Sequence, residues 1–204
     1  MNGIFVTGTD TGVGKTLVSA WLAQHWRAAY WKPVQSGSVE GTDGGEVARL
    51  APDAEFLPSA YVLKEPLSPH EAAAREGVRI DLAALAPPLT SRPLVVEGAG
   101  GVMVPLNDTA LMIDLMAQLA LPVLVVARSG LGTINHTLLT LAALRGRGLA
   151  IRGVIMNGEP NPANRRAIEH FGRVRVLAEL PPLPAVTAEA IAALPAPLAF
   201  APTE

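Results

Sequence analysis

Nine residues near the start, Gly8-Thr9-Asp10-Thr11-Gly12-Val13-Gly14-Lys15-Thr16, combine the types needed to hold a polyphosphate. Glycines let a tight turn aim backbone N–H groups inward, a lysine sets positive charge against the outer phosphates, and the neighbouring hydroxyl can ligate Mg²⁺. The apolar run Ile4-Phe5-Val6 ends one residue before this segment and a helical pattern starting at Leu17 follows it. Strand, phosphate loop and helix are therefore expected in that order, with a nucleoside triphosphate as ligand. Five residues separate Gly8 from Gly14, one more than the usual G-x-x-x-x-G-K-[ST] pattern allows, while Gly-Lys-Thr itself is intact.

Lysine is used sparingly. Of 16 basic residues only three are lysines, Lys15, Lys32 and Lys64. A chain that otherwise uses arginine keeps lysine where a compact, mobile ammonium does what a planar fork cannot. Lys15 belongs to the loop, and Lys32 closes the apolar run Tyr30-Trp31-Lys32-Pro33-Val34, with Ser36 and Gly37 just beyond it. Lys64 lies beside a proline and reads as a solvated surface residue.

Two carboxylates are candidates for the cation that accompanies a triphosphate. Leu94-Val95-Val96 reads as a buried strand that ends in Glu97 and passes into the glycine loop Gly98-Ala99-Gly100-Gly101. An acid at the end of a strand neighbouring the phosphate loop can hold Mg²⁺ directly or through water. Asp43, in Gly41-Thr42-Asp43-Gly44-Gly45, can supply another, although Asp-Gly by itself also marks turns. Further along, Gly130-Leu131-Gly132-Thr133-Ile134-Asn135-His136 opens a helix that Thr133 can cap. Asn157, in Met156-Asn157-Gly158, ends a strand where its amide can read an adenine edge or form an ordinary Asn-Gly turn. His25 and His170 read as exposed helical residues, and no two histidines have metal spacing.

The elements that must carry these residues are legible in outline. Apolar runs recur at 4–6, 29–34, 93–96, 122–127, 151–156 and 174–177, with helical stripes between several of them, such as Leu111, Leu115 and Leu119 or Leu138, Leu141 and Leu144. The expectation is an α/β fold, a mostly parallel central sheet flanked by helices in three layers, with ligands at the carboxyl ends of the strands. The segment 37–93 is looser and reads as an insertion over the site, and the proline-rich tail reads as loop with a short helix near 188–194. Residues 1–204 are expected to form a single domain.

Composition narrows the partners. A net charge of −2 gives no basic footprint for nucleic acid, and the longest apolar stretch, 111–127, is broken by Asp114, Gln118 and Pro122, against a membrane span. Small molecules or a second copy of the chain remain. The start, Met1-Asn2-Gly3, runs straight into the strand that feeds the loop and carries no basic leader, which points to the cytoplasm. The absence of cysteine excludes disulfides and thiolate metal sites.

Taken in order, the phosphate loop, Lys32-Pro33-Val34-Gln35-Ser36-Gly37, Ser68-Pro69-His70, Val96-Glu97-Gly98-Ala99-Gly100-Gly101, Leu131-Gly132-Thr133-Ile134-Asn135-His136 and Asn157 resemble the dethiobiotin synthetase family from Met1 to about Leu183, including the five-residue loop spacing. The resemblance implies ATP-dependent carboxylation and ring closure of 7,8-diaminopelargonate with CO₂, giving dethiobiotin, ADP and phosphate through a carbamate and a carbamic-phosphoric anhydride. It implies that Lys32 is catalytic, that Gly12, Val13, Gly14, Lys15, Thr16 and Leu17 bind nucleotide with Asp43, Glu97, Gly98, Ala99, Gly100 and Asn157, and that Thr16, Asp43 and Glu97 hold Mg²⁺. Thr11, Ser36, Gly101 and Asn135 would meet the substrate, Asn135 from the second subunit of a homodimer, and 181–183 would border the adenine. Gly12 stands where some relatives carry glutamate, so only backbone roles carry over there.

Two rivals are weaker on residues alone. The synthetase part of a glutamine amidotransferase normally joins a glutamine-hydrolysing domain, whose thiol nucleophile a cysteine-free chain cannot supply. A nucleotide-switched partition or cell-division ATPase carries a second lysine four positions before the last loop glycine, where this chain has Asp10.

Overall fold

The computed structural model describes residues 2–39 and 41–197. Seven parallel strands form the central sheet in the order β4-β2-β6-β1-β7-β8-β9. These are β1 (Gly3–Gly8), β2 (Ala29–Trp31), β4 (Glu55–Leu57), β6 (Leu94–Gly101), β7 (Val123–Arg128), β8 (Ile151–Asn157) and β9 (Val176–Leu180). A two-stranded parallel pair, β3 (Val34–Gln35) with β5 (Tyr61–Val62), stands apart from it. The helices are α1 (Lys15–Trp26), α2 (Asp43–Leu50), α3 (Pro69–Arg75), α4 (Met112–Leu119), α5 (Thr133–Gly146), α6 (Pro162–Gly172) and α7 (Ala188–Ala193), with one 3₁₀ turn at Leu82–Ala84.

The inner strands β1, β2 and β7 are buried along almost their whole length, and β6 as far as Gly98, as expected where helices cover both faces of a parallel sheet. In β1, Ile4 and Val6 pack with Tyr30, Val95 and the α1 residues Val18, Trp21 and Leu22. Phe5 points the other way, into a core with Trp31, Val96, Met116 of α4 and Leu141 of α5. The period of two along each strand therefore decides which residues lie under α1, the helix that follows the phosphate loop. Trp21 closes one edge of that layer, its indole N–H donating to the Pro195 carbonyl at 3.0 Å. None of the helices among the described residues is long and apolar enough to cross a membrane.

Several sequence expectations change in detail. The run 29–34 is broken at Lys32-Pro33, because proline has no N–H for the ladder, and the chain leaves β2 to begin β3 in the smaller sheet. Strand β6 does not stop at Glu97 but runs on to Gly101, with a bulge against β1 that pairs Val6 with Glu97 and Gly8 with Gly101. The last strand falls at 176–180 rather than 174–177. Segment 37–93 is more than an insertion, since β4 within it is the edge strand of the central sheet. Half-exposed and only three residues long, β4 lacked the apolar signal of its neighbours. Thr133 is not a cap: Gly132 holds that position, and the Thr133 side chain is buried with no hydrogen-bond partner for its hydroxyl. His25 is half-buried, edge-on to Trp21, whereas His170 is exposed.

Candidate active site

The phosphate loop connects β1 to α1 at the carboxyl end of the sheet. Thr9 N–H donates to the Val126 carbonyl at 2.9 Å, which ties the loop to β7. Lys15 folds back over the loop, its ammonium 3.1 Å from the Asp10 carbonyl oxygen. Asp10 is itself held from outside by Arg128, at 2.7 Å. Thus the position where a switch ATPase would place a second lysine carries an acid paired with arginine. Gly14 precedes α1 with φ 96°, and a Cβ there would strike the Asn157 side chain, so this turn accepts glycine only. The Asn157 amide donates to the Val13 carbonyl at 3.1 Å, bracing the loop from the end of β8.

Three elements bring the candidate chemical groups together. The residue pairing Tyr30 with Val95 puts Lys32, two residues on, and Glu97, two residues on, on the α1 side of the sheet. Thr42 caps α2 by accepting from Gly45 N–H at 3.0 Å, and Asp43 is the first residue of that helix. Lys32 Nζ lies 2.5 Å from Asp43 Oδ2 and 3.0 Å from Glu97 Oε1. Thr16 Oγ1 reaches Asp43 Oδ1 at 2.6 Å and Glu97 Oε1 at 3.1 Å. Two buried side chains not singled out by the sequence complete the cluster. The Tyr30 hydroxyl donates to Glu97 Oε2 at 3.1 Å, and Gln35 Oε1 accepts from Asp43 N–H at 3.0 Å. Both lie in or beside the Lys32 motif, yet only the sheet register reveals that they face the carboxylates.

The electrostatics follow from this packing. Burial alone would lower the Lys32 pKa, but Glu97 and Asp43 outweigh it and hold the ammonium above the ordinary lysine range. Burial would raise Asp43, yet the Lys32 charge and hydrogen bonds from Lys32, Thr16 and Gln35 bring it below the usual carboxylate range. For Lys15, burial and the nearby Lys32 win over Glu97, Asp43 and Asp10, so its pKa falls. Burial first, then the Glu97 and Asp43 charges, push the Tyr30 phenol well up. The result is one ammonium locked between carboxylates and another, Lys15, short of anionic partners and ready for phosphate.

A cleft of about 690 Å³ opens over these groups. Thr11, Gly12, Gly14, Lys15, Thr16 and Lys32 line it, as do Ser36, Asp43, Glu97, Ala99 and Gly100. Residues 66–69, which lead into the first turn of α3, also line it, and there Ser68 Oγ and His70 Nδ1 are 3.0 Å apart. The Ser36 side chain borders the cleft and its hydroxyl has no hydrogen-bond partner among the described residues. Other candidate residues are placed differently. The Val13 side chain is buried and Leu17 packs partly against the same core, leaving their backbone for a ligand. Gly98 sits where a side chain would collide with Phe5, and Gly101 lies against the Gly8 carbonyl. Asn135 is exposed on α5, outside the cleft lining. The β8–β9 register pairs Asn157 with Leu180, so Pro181 begins beside the loop-bracing amide.

The donor set suits Mg²⁺. Thr16, Asp43 and Glu97 offer oxygen atoms only, and the Thr16 hydroxyl lies 2.6 Å from Asp43 and 3.1 Å from Glu97. Among the described residues no group of three or more His, Cys, Asp or Glu side chains could hold a metal. A site with few protein ligands, completed by phosphate and water, is the arrangement Mg²⁺ favours on nucleotides.

A parallel sheet with a phosphate loop between its central strand and a flanking helix defines the class, a P-loop nucleotide-binding ATPase. Solved structures of this fold include a ParA family ATPase from Chlorobium tepidum, matched at TM-score 0.59 and 10% identity over 92% of this chain and 95% of that one. The MinC:MinD complex of Aquifex aeolicus matches at 0.52 and 11%, over 93% and 86%. Residues 2–190 match the family described as AAA domain. Sequence relatives are far nearer. The ATP-dependent dethiobiotin synthetase BioD of Paramagnetospirillum magneticum is 72% identical over 97% of this chain and 96% of its own length, and that of Agrobacterium fabrum 50% over 91% and 89%. The chain belongs to the dethiobiotin synthetase family and is an ATP-dependent ligase.

Proposed function

We propose that this enzyme makes dethiobiotin in biotin biosynthesis from 7,8-diaminopelargonate, CO₂ and ATP; the names of its relatives supply ATP, dethiobiotin and biotin biosynthesis, and the diamine and CO₂ are our reading of the cleft. The observation that carries the reading is Lys32 held between Asp43 and Glu97, facing the same cleft as Lys15 and Ser36. In this reading one substrate amine takes up CO₂ as a carbamate, losing a proton. The carbamate oxygen attacks the γ-phosphorus, ADP leaves, and the second amine closes the ring on the anhydride carbon as phosphate departs.

The chain's own residues position and neutralise. Lys15 and the N–H groups of 12–17 grip the β and γ phosphates at the positive end of α1. The Lys32 ammonium faces the carbamate and the moving phosphoryl group, where charge builds and a fixed cation is worth most. Thr11, Ser36 and the wall at Ala99 and Gly100 orient the diamine. Thr16, Asp43 and Glu97 would hold Mg²⁺, which supplies charge neutralisation to the phosphates when bound. Asn157 and 181–183 would border the base.

We also propose that residues 1–204 act as one catalytic domain in a homodimer. Leu131 is fully exposed and Leu139 is 62% exposed, with Asn135 one turn before Leu139 on α5, a face that suits a second copy. That copy would bring Asn135 to its partner's substrate.

The test is phosphate release with MgATP and bicarbonate, with and without 7,8-diaminopelargonate, alongside mass detection. Phosphate that depends on the diamine, with a product of the ring-closed mass, is expected. ATP hydrolysis indifferent to the diamine would overturn the reading.

A further inference from the structure

We propose that Tyr30 is a positioning residue for Glu97: its hydroxyl holds one carboxylate oxygen inside the sheet so that the other faces the cation site and Lys32. The two oxygens have separate surroundings. Oε2 accepts from the Tyr30 hydroxyl at 3.1 Å, while Oε1 takes Lys32 at 3.0 Å and Thr16 at 3.1 Å. Glu97 is 1% exposed and Tyr30 2%, so no solvent donor replaces the phenol if it is removed. The terminal carboxylate torsion of glutamate is soft and roughly two-fold. The two oxygens are equivalent, so a half-turn changes nothing; without the hydroxyl the intermediate rotations become accessible, and these turn the carboxylate plane away from Lys32 and Thr16.

Packing alone does not call for the hydroxyl. The Tyr30 ring lies in the layer under α1, with its centroid 6.4 Å from Phe56, and a phenylalanine would fill the same space. What the hydroxyl adds is one donor, aimed along the strand from the Tyr30–Val95 pair to the carboxylate beyond it. The proposal rests on the reading that Glu97 serves the cation of the nucleotide, and it concerns binding of that cation, before any chemistry on the diamine. Hydrogen-bond partners behind a metal-binding carboxylate are worth about 10-fold or more in metal affinity.

The test titrates Mn²⁺, followed by its electron paramagnetic resonance, into the ADP-bound protein, comparing wild type, Tyr30→Phe and Tyr61→Phe. Tyr61, the second of two tyrosines, accepts from Asp81 N–H outside the cleft and serves as the control. Tyr30→Phe is expected to weaken Mn²⁺ about 10-fold while ADP binding without metal stays near that of Tyr61→Phe, and its thermal midpoint falls below that of Tyr61→Phe because a buried carboxylate oxygen loses its donor. A folded Tyr30→Phe protein with Mn²⁺ affinity equal to wild type would overturn the proposal. Should that variant not fold, wild-type protein grown with 3-fluorotyrosine gives a second reading. Its Tyr30 fluorine resonance is expected to move when Mg²⁺ joins ADP, with Tyr61 unmoved, and a Tyr30 resonance blind to Mg²⁺ overturns the proposal. Neither measurement involves the diamine, so both remain decisive if the synthetase reaction itself fails.

Discussion

Lys32 Nζ stands between Asp43 Oδ2 at 2.5 Å and Glu97 Oε1 at 3.0 Å, joining the end of β2 to α2 and β6. The lysine is the counter-ion of two carboxylates that a cation would share. Replacing Lys32 by alanine removes the charge that faces the transferring group and leaves the phosphate loop whole. Lys32→Ala is expected to bind ADP within a few-fold of wild type and to lose about 10²- to 10³-fold in diamine-dependent phosphate release. Normal turnover would remove Lys32 from the mechanism.

Lys15 has a different task, so its loss has a different signature. Lys15→Ala is expected to weaken nucleotide binding by about 10-fold or more, the scale of one lost charged hydrogen bond, and to lower turnover as well. Because the Lys15 pKa is lowered, its charge disappears at a lower pH than that of an ordinary lysine. ATP affinity, followed by calorimetry from neutral to alkaline pH, should therefore begin to fall below the ordinary lysine range in wild type and be flatter in the variant.

The Lys32–Asp43 contact also predicts how stability varies with pH. Asp43 has a depressed pKa in the folded protein, so its contribution is complete above the ordinary carboxylate value and is lost as pH falls through the depressed one. Lys32 has a raised pKa, so its contribution is complete below the ordinary lysine value and is lost as pH rises through the raised one. Urea midpoints of ligand-free protein should be highest between these limits. Asp43→Asn should lose part of the acid limb, and an unchanged acid limb would show that Asp43 is not held by this pair.

Gly14→Ala tests the loop without altering charge. The position has φ 96° and an added methyl would meet Asn157. The left-handed backbone alone costs about 1–2 kcal/mol, readable in the thermal midpoint, and ADP binding should fall with it. Adding Asn157→Ala should relieve the collision but not the backbone cost, giving partial recovery. Full wild-type stability in the single variant would contradict the turn described here.

In the proposed homodimer, a charge on the exposed face of α5 should separate the subunits. Leu139→Arg is expected to halve the mass seen by light scattering and to reduce turnover, since Asn135 would no longer reach a neighbouring substrate. A variant that stays dimeric places the interface elsewhere.

Much of this chain could be read before folding it. The phosphate loop was legible because its ligand is bound by local backbone, within nine consecutive residues. Lys32 and Glu97 stood out because each ends an apolar run, where strands deliver side chains to a cleft. Less legible were β4, too short and exposed to carry an apolar signal, and the continuation of β6 past Glu97, which depends on pairing with β1 rather than on glycine propensity. Thr133 looked like a cap because its type fits one, yet Gly132 takes the left-handed position before the helix and leaves threonine inside.

By itself, the sequence determined the strand-loop-helix at the amino end, the alternation that yields a parallel sheet, and the residue types available for phosphate and cation. These follow from interactions between near neighbours: backbone turns, helix ends and apolar periodicity. The tertiary structure alone decided that the Tyr30 hydroxyl meets Glu97 and the Gln35 amide oxygen the Asp43 N–H, that Asn157 braces Val13, and that Thr16 meets Asp43 and Glu97. Those contacts join residues up to 144 positions apart. Their geometry is set by strand order and register, which come from packing the whole core at once and not from any local stretch of chain.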